Sequence, residues 1–183
     1  MSYFMKIYKE KIFWDMYYHY NFKNIMQIPY IFKINLNAGC GNFFFDKKKI
    51  NFFFTNINNV CNQKPVFVKC KKSISEFKIK KNDNIAIKLT LRKKNMYNFL
   101  YKVLNLSLPL IKGFDGLSSK SFDDFGNYNF GIEDYFIFPE VNSMIDSSLN
   151  FNYGLNISIV FKNSDIEKSF TFLTYLNFPF KDV

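Results

Sequence analysis

The densest chemistry in this 183-residue chain lies in the run KCKKSISEFKIKK, residues 69–81, where six lysines stand against one acid. Lys69, Lys71, Lys72, Lys78, Lys80 and Lys81 bring ammonium heads close together, and such a cluster neutralises phosphates without regard to sequence. Ile74, Phe77 and Ile79 are threaded between them, so the run reads as a solvated charged face, a disordered basic tail or a segment that lies against a polyanion. Arg92 is the only arginine. It is therefore the only planar fork able to hold a phosphate or a guanine edge in a bidentate way. A second group is acidic: Asp123, Asp124, Glu133 and Asp134 are the residues that would ring a Mg²⁺ ion in a nuclease. Adjacent carboxylates on a strand point to opposite faces, and His19, the only histidine, is far from them in the chain. No catalytic residue, metal site or cofactor is expected. Cys40, Cys61 and Cys70 match no zinc spacing, and their odd number reads as free thiols in a reducing compartment. Gly39 and Gly41 follow a strand but lack the third glycine of a dinucleotide fingerprint.

The charge is unevenly spread. The chain carries a formal net charge of +10 and a sequence pI near 9.4. Solubility needs no such excess, so an anionic partner is expected, nucleic acid ahead of an acidic membrane surface. Between residues 64 and 94, ten lysines and Arg92 stand against Glu76 and Asp83. Between 113 and 167, nine acids stand against Lys120 and Lys162. A generic solvated surface mixes its signs more finely, so the two regions point to two different partners. With 48% apolar and 21% aromatic residues the chain is too hydrophobic for disorder, and its length suits one domain spanning 1–183. No transmembrane stretch, secretory h-region or Arg-rich presequence is present, and no membrane partner is expected. The abundance of Phe, Asn, Ile, Tyr and Lys, all with A- and T-rich codons, reads as the bias of an AT-rich genome.

These groups need a frame to position them. Aromatics at helical spacing predict a helix over 3–20. YIFKINLNA (30–38) alternates as a strand, and Asp46 is placed to cap a helix running to Cys61. KPVFVKC (64–70) reads as a second strand and NIAIKLTLR (84–92) as a third. In the third, Ile85, Ile87, Leu89 and Leu91 face inward, while Ala86, Lys88, Thr90 and Arg92 face outward. A helix is predicted over 93–111, with Met96, Phe99, Leu100, Val103, Leu104 and Leu106 as its apolar stripe. A long glycine-rich loop is predicted over 113–131, and a strand over 154–161. The last helix is predicted to start with Ser164 as N-cap and Glu167 completing a capping box. The sum is an α+β fold: a mostly antiparallel sheet, helices packed on one face, and a long basic loop (about 69–83) between two strands.

The motifs in order resemble the large-subunit ribosomal protein five family. The matching stretches are MQIPYIFKINLNAGCG (26–41), NQKPVFVKCKKSISEFKIKK (62–81), IAIKLTLRKKNMYNFL (85–100), LPLIKGFDGLSSKSFDDFGNYNFGIEDYFIFPEV (108–141) and LNFPF (176–180). No one motif is decisive, but the ordered set is specific and covers nearly the whole chain. The resemblance implies a structural constituent of the large ribosomal subunit that binds 5S ribosomal RNA in the central protuberance and supports translation.

The same resemblance implies site residues. Asn37, Gly39, Gln63, Lys64, Phe77, Thr90 and Arg92 would meet ribosomal RNA, either 5S or large-subunit RNA. The amides of Asn37 and Gln63 would pair with an extruded base, and Phe77 would stack on one. The basic loop, with Lys69, Lys71, Lys72, Ser73, Lys78, Lys80 and Lys81, would reach towards the elbow of the peptidyl-site transfer RNA. Asp115, Gly116 and Leu117 would lie at a bridge to ribosomal protein thirteen of the small subunit. Here the chain departs from the family, with Asp115 where an arginine is usual and Asp124–Phe125 in place of Gly–Arg. Both changes remove positive charge, so RNA contacts of those arginines are not expected, whereas an acidic patch suits a basic protein partner. The chain starts where family members start. With the codon bias, this leads to an expected place in a mitochondrial ribosome encoded in the organelle, with a plastid or bacterial cytoplasm as the alternative. An RNA-binding module acting outside the ribosome is the other functional reading.

Overall fold

The computed structural model describes residues 3–41, 46–142 and 154–181. Its centre is a five-stranded sheet in the order β2-β3-β1-β5-β4, antiparallel at every described pairing. The strands are β1 (Tyr30–Gly39), β2 (Val66–Lys69), β3 (Asn84–Leu91), β4 (Tyr128–Ile132) and β5 (Leu155–Lys162). Alternation sends Ile34, Leu36 and Ala38 of β1 inward, beside Ile87, Leu89 and Leu91 of β3 and Ile157, Ile159 and Phe161 of β5. All of these are buried.

Helices close that inner face. The first helical run covers residues 3–19: α1 (Tyr3–Ile7), a π-helical turn (Tyr8–Ile12) and α2 (Phe13–His19). Then follow α3 (Lys47–Cys61), α4 (Lys93–Lys102), the short α5 (Pro139–Asn142) and α6 (Ile166–Tyr175). Ile12 and Met16, Phe53 and Ile57, Phe99 and Leu100, and Phe172 and Leu173 join the sheet residues in one core. Each such side chain contributes about 1.5–3 kcal/mol on burial. The opposite face of the sheet carries Asn35, Asn37, Lys88, Thr90, Asn156 and Ser158 and stays accessible. The α+β architecture with helices on one face is thus as the alternation predicts.

Four local expectations are corrected. Asp46 stands at the N-cap of α3, but its carboxylate caps no backbone N–H. It pairs with Lys49 at 3.5 Å instead. The helix predicted over 93–111 is α-helical only to Lys102, then passes through a π-helical turn (Val103–Ser107) and a 3₁₀ turn (Leu108–Leu110). The wider turn shifts the later side chains out of the 3.6-residue period. Ser107 therefore faces inward and Leu106, assigned to the stripe, is 42% exposed. The loop predicted to reach Gly131 ends earlier, because Tyr128–Ile132 pair with β5 as an edge strand. Glycine content hides that strand, and cross-strand pairing recovers it. Finally, Asp165 rather than Ser164 is the N-cap of α6, and its side chain makes no cap hydrogen bond. The Asp165 carboxylate takes Lys168 Nζ at 2.6 Å. The Ser164 hydroxyl meets that of Ser169 at 2.7 Å, so no capping box with Glu167 forms.

Candidate nucleic-acid interface

The open face is built from strand alternation plus register. Along the β1–β3 seam the outward pairs are Asn35 with Thr90, Asn37 with Lys88, and Gly39 with Ala86. On the other side of β1, Asn35 pairs with Ser158 and Asn37 with Asn156. Asn129 and Gly131 of β4 extend those two rows. The rows therefore read Thr90–Asn35–Ser158–Asn129 and Lys88–Asn37–Asn156–Gly131, with no carboxylate in either. An amide donates and accepts at once, which is what the edge of an unpaired base requires.

Hydrogen bonds orient part of this surface. The Thr90 hydroxyl donates to Asn35 Oδ1 at 3.1 Å, so the Asn35 NH₂ group is not used in that bond. Gln63 Nε2 donates to the Thr90 carbonyl at 3.0 Å. β2 begins only at Val66, opposite Lys88, so the Gln63 side chain takes the place of a strand at the level of Thr90. One N–H and the carbonyl of Gln63 remain for a ligand. Lys64 is exposed beside it. Arg92 follows β3 at the far end of the seam, exposed, with its guanidinium carbon 4.8 Å from the centre of the Phe32 ring. Gly39 lies at the near end. A Cβ there would meet no described atom within 4 Å, so the space above it is open on the described residues. From Ala86 to Arg92 the stripe is about 20 Å long at strand rise.

The basic loop leaves the sheet at the Gly39 end. It is folded. Cys70 and Asp83 close its base, with the Cys70 N–H donating to the Asp83 carbonyl at 2.9 Å and the Asn82 N–H to the Cys70 carbonyl at 3.0 Å. Ile74 and Ile79 exchange backbone hydrogen bonds around a turn in which the Lys78 N–H donates to the Ser75 carbonyl. The Ser73 hydroxyl accepts the Lys81 N–H at 3.0 Å, and the Asp83 carboxylate accepts the Lys80 N–H at 2.8 Å. Backbone bonding, not side-chain burial, therefore shapes the projection, and Ile74 and Phe77 stay exposed, Phe77 by 61%. Lys69, Lys71, Lys72, Lys78, Lys80 and Lys81 are all exposed, and none forms an ion pair with a described carboxylate.

The structure thus gathers Asn37, Gly39, Gln63, Thr90 and Arg92 on one stripe, sets Phe77 and the lysines on the loop beyond its end, and puts Asp115–Leu117 elsewhere. There, Leu117 is buried, its N–H donating to the Pro179 carbonyl at 2.7 Å and its carbonyl accepting the Lys181 N–H at 2.9 Å. Gly116 has φ +110° and lies so close to Lys181 that a Cβ would sit 2.9 Å from its backbone. Asp115 is exposed and pairs with Lys181 at 3.6 Å. The face also includes residues that sequence reasoning missed: Phe32, Lys33, Asn35, Asn129, Asn156 and Ser158. For Asn35, Asn156 and Ser158 the signal was present as polar positions in alternating strands, but it needed the register to become a surface.

The carboxylates and thiols considered for other chemistries have structural surroundings among the described residues. Asp123 Oδ1 accepts the N–H groups of Phe125 and Asn127, and Oδ2 accepts the Asn127 side-chain amide. It is the organiser of a turn. Among the described residues no three Asp, Glu, His or Cys residues are grouped to hold a metal ion. Burial pushes the Cys40 thiol up to about 11 and the Cys61 thiol up to about 12. Both are protonated at neutral pH and poor nucleophiles. No described helix is long and apolar enough to cross a membrane.

Comparison with known proteins completes the case. Residues 24–80 match the family described as ribosomal protein L5, and residues 84–180 match the C-terminal region of that same ribosomal family. The chain is 39% identical to the large ribosomal subunit protein uL5 of Halothermothrix orenii, over 98% of its own length and 99% of that protein's. It is 37% identical to the uL5 of Bordetella avium over the full length of both. With the uL5c of Cyanidium caldarium it shares 40% identity over 96% of each. The chain belongs to the ribosomal protein L5 (uL5) family, structural and non-enzymatic constituents of the large ribosomal subunit whose partners are ribosomal RNA and other ribosomal proteins.

Proposed function

We propose that this chain holds ribosomal RNA by two devices acting together: the amide face of the sheet reads unpaired bases, and the lysine loop binds phosphates. One observation carries this reading. Among the described residues, a sheet face with no carboxylate in its two polar rows and no helix over it adjoins a folded loop whose six lysines have no ion-pair partner. Asn37, Gln63, Thr90 and Arg92, with Lys64 and the open backbone at Gly39, serve the RNA face. The RNA is 5S ribosomal RNA where the ribosome has one and a large-subunit RNA helix where it does not. Phe77 stacks on a base beyond the end of the face. The loop, through Lys69, Lys71, Lys72, Ser73, Lys78, Lys80 and Lys81, extends to the elbow of the peptidyl-site transfer RNA. Asp115 and the backbone of Gly116 and Leu117 face ribosomal protein thirteen of the small subunit. The whole chain acts as one domain, since strands from both matched segments share one sheet. The residue bias supports a mitochondrial ribosome, and the likeness to a uL5c and to bacterial relatives keeps the plastid and bacterial cytoplasm as alternatives.

Asn37→Asp tests the face, because it sets a negative charge at its centre with almost no change in shape. Incorporation into large subunits is expected to fall at least tenfold in competition with the wild-type chain, while the isolated variant keeps its stability. Equal incorporation refutes the role of the face. Sedimentation of the endogenous protein in high salt separates this reading from an RNA-binding module outside the ribosome, which would stay in the soluble fraction.

A further inference from the structure

We infer that Phe32 and Arg92 form a stacking site for one unpaired RNA base at the far end of the amide face. The inference rests on the RNA reading above and adds a subsite to it. A β-bulge is its origin. β1 pairs with β5 as Ile31–Phe161 and then as Lys33–Val160, so Phe32 has no partner of its own in that ladder. Without the extra residue, alternation back from the buried Ile34 would put Phe32 in the core and Ile31 outside. With it, Ile31 is buried and Phe32 is turned outward, 39% exposed. Arg92, one residue beyond the Ile34–Leu91 pair, leaves β3 on the same face and lays its guanidinium over the Phe32 ring at 4.8 Å. Neither side chain meets a described carboxylate.

The pairing holds the guanidinium in place by cation–π attraction, and no described residue forms an ion pair with it. A planar cation on an aromatic ring is a platform for a nucleobase, whose π face stacks on guanidinium or ring alike. A phosphate alone gives no reason for an outward phenyl ring. A peptide can bond the neighbouring amides through its backbone, but only an aromatic residue of it would stack on the guanidinium. A base uses both, because Asn35 and Thr90 lie one row along the strand, within reach of its hydrogen-bonding edge. A duplex hides its base faces, so the ligand is single-stranded or bulged.

The test is binding of the full chain to a labelled 12-nucleotide adenine-rich RNA, single-stranded or annealed to its complement, across a salt series. Phe32→Ala is expected to weaken single-strand binding about tenfold and to leave duplex binding and the salt slope unchanged, since no charge is lost. Phe32→Tyr restores binding. Arg92→Lys keeps the charge, loses the plane, and weakens single-strand binding to a similar degree. Circular dichroism verifies the fold of each variant. Equal weakening of single strand and duplex, or a changed slope with Phe32→Ala, overturns stacking in favour of a lost phosphate contact. If Phe32→Ala binds as wild type while Lys88→Ala is weakened, the subsite is wrong and the RNA face stands. If all of these variants bind as wild type, the RNA reading falls and the subsite with it.

Discussion

Replacing Lys71, Lys72 and Lys78 together by alanine isolates the electrostatic half of the RNA grip. All three are exposed, and none is in an ion pair with a described carboxylate, so their removal breaks no ion pair with one. Lys78 has φ +53°, and alanine keeps a Cβ there, so the strain of that position is unaltered. The backbone bonds that shape the loop involve none of the deleted heads. The loss is therefore three phosphate contacts at most. Each contact is worth about 0.7–0.9 in the slope of log K against log salt. Six loop lysines give a slope of about −4 to −5, and three give about −2 to −3. Between 50 and 200 mM salt the loop's contribution falls about 300- to 2,000-fold in the wild type, but only about 20- to 40-fold in the variant. Filter binding or fluorescence polarisation over that range reads both slopes directly. A variant whose slope matches the wild type to within about half a unit refutes the argument, whatever its affinity at one salt concentration.

The remaining predictions concern the frame. Gly116→Ala combines a left-handed backbone with a Cβ 2.9 Å from Lys181, and it should cost about 2–4 kcal/mol in urea unfolding. An unchanged midpoint would mean that the contact with residues 179–181 is not held in solution. Stability should fall as pH rises from about 9 towards 12. The buried Cys61 thiol keeps its proton up to about 12, whereas the unfolded chain releases it near 9, so alkali favours unfolding in that window. Cys61→Ala should flatten the fall, as read from urea midpoints against pH. Thr90→Val removes the donor to Asn35, leaves stability within about 1 kcal/mol because the bond is exposed, and frees Asn35 to rotate. RNA affinity should drop several-fold, and an unchanged affinity would show that the amide row needs no fixed orientation.

Much of the frame was legible because its signals are local. Ile87, Leu89 and Leu91 against Lys88, Thr90 and Arg92 define a half-buried strand without any partner, and the structure places them so. The same holds for Asn37 on β1 and for the lysines of the loop. What escaped was non-local. Gly131 lies in a stretch that reads as loop, and only β5 makes a strand of it. Leu106 fits a regular helix, but a π turn takes it out of the core. Ser164 and Glu167 have the spacing of a capping box, yet the helix begins one residue later and Ser164 turns to Ser169. Gln63 looked like a free amide until the short β2 left the Thr90 carbonyl for it to satisfy.

The chain's own order determined the class of fold, the polarity of the faces of β3 and β5 and the basic character of residues 64–94, because period and charge are properties of neighbours in sequence. Only the tertiary structure decided that Asn35, Thr90, Ser158 and Asn129 form one row, and that a bulge turns Phe32 out beneath Arg92. A surface is an alignment of distant segments, and register sets that alignment. Hydrogen bonds between strands fix register, and no single segment encodes them.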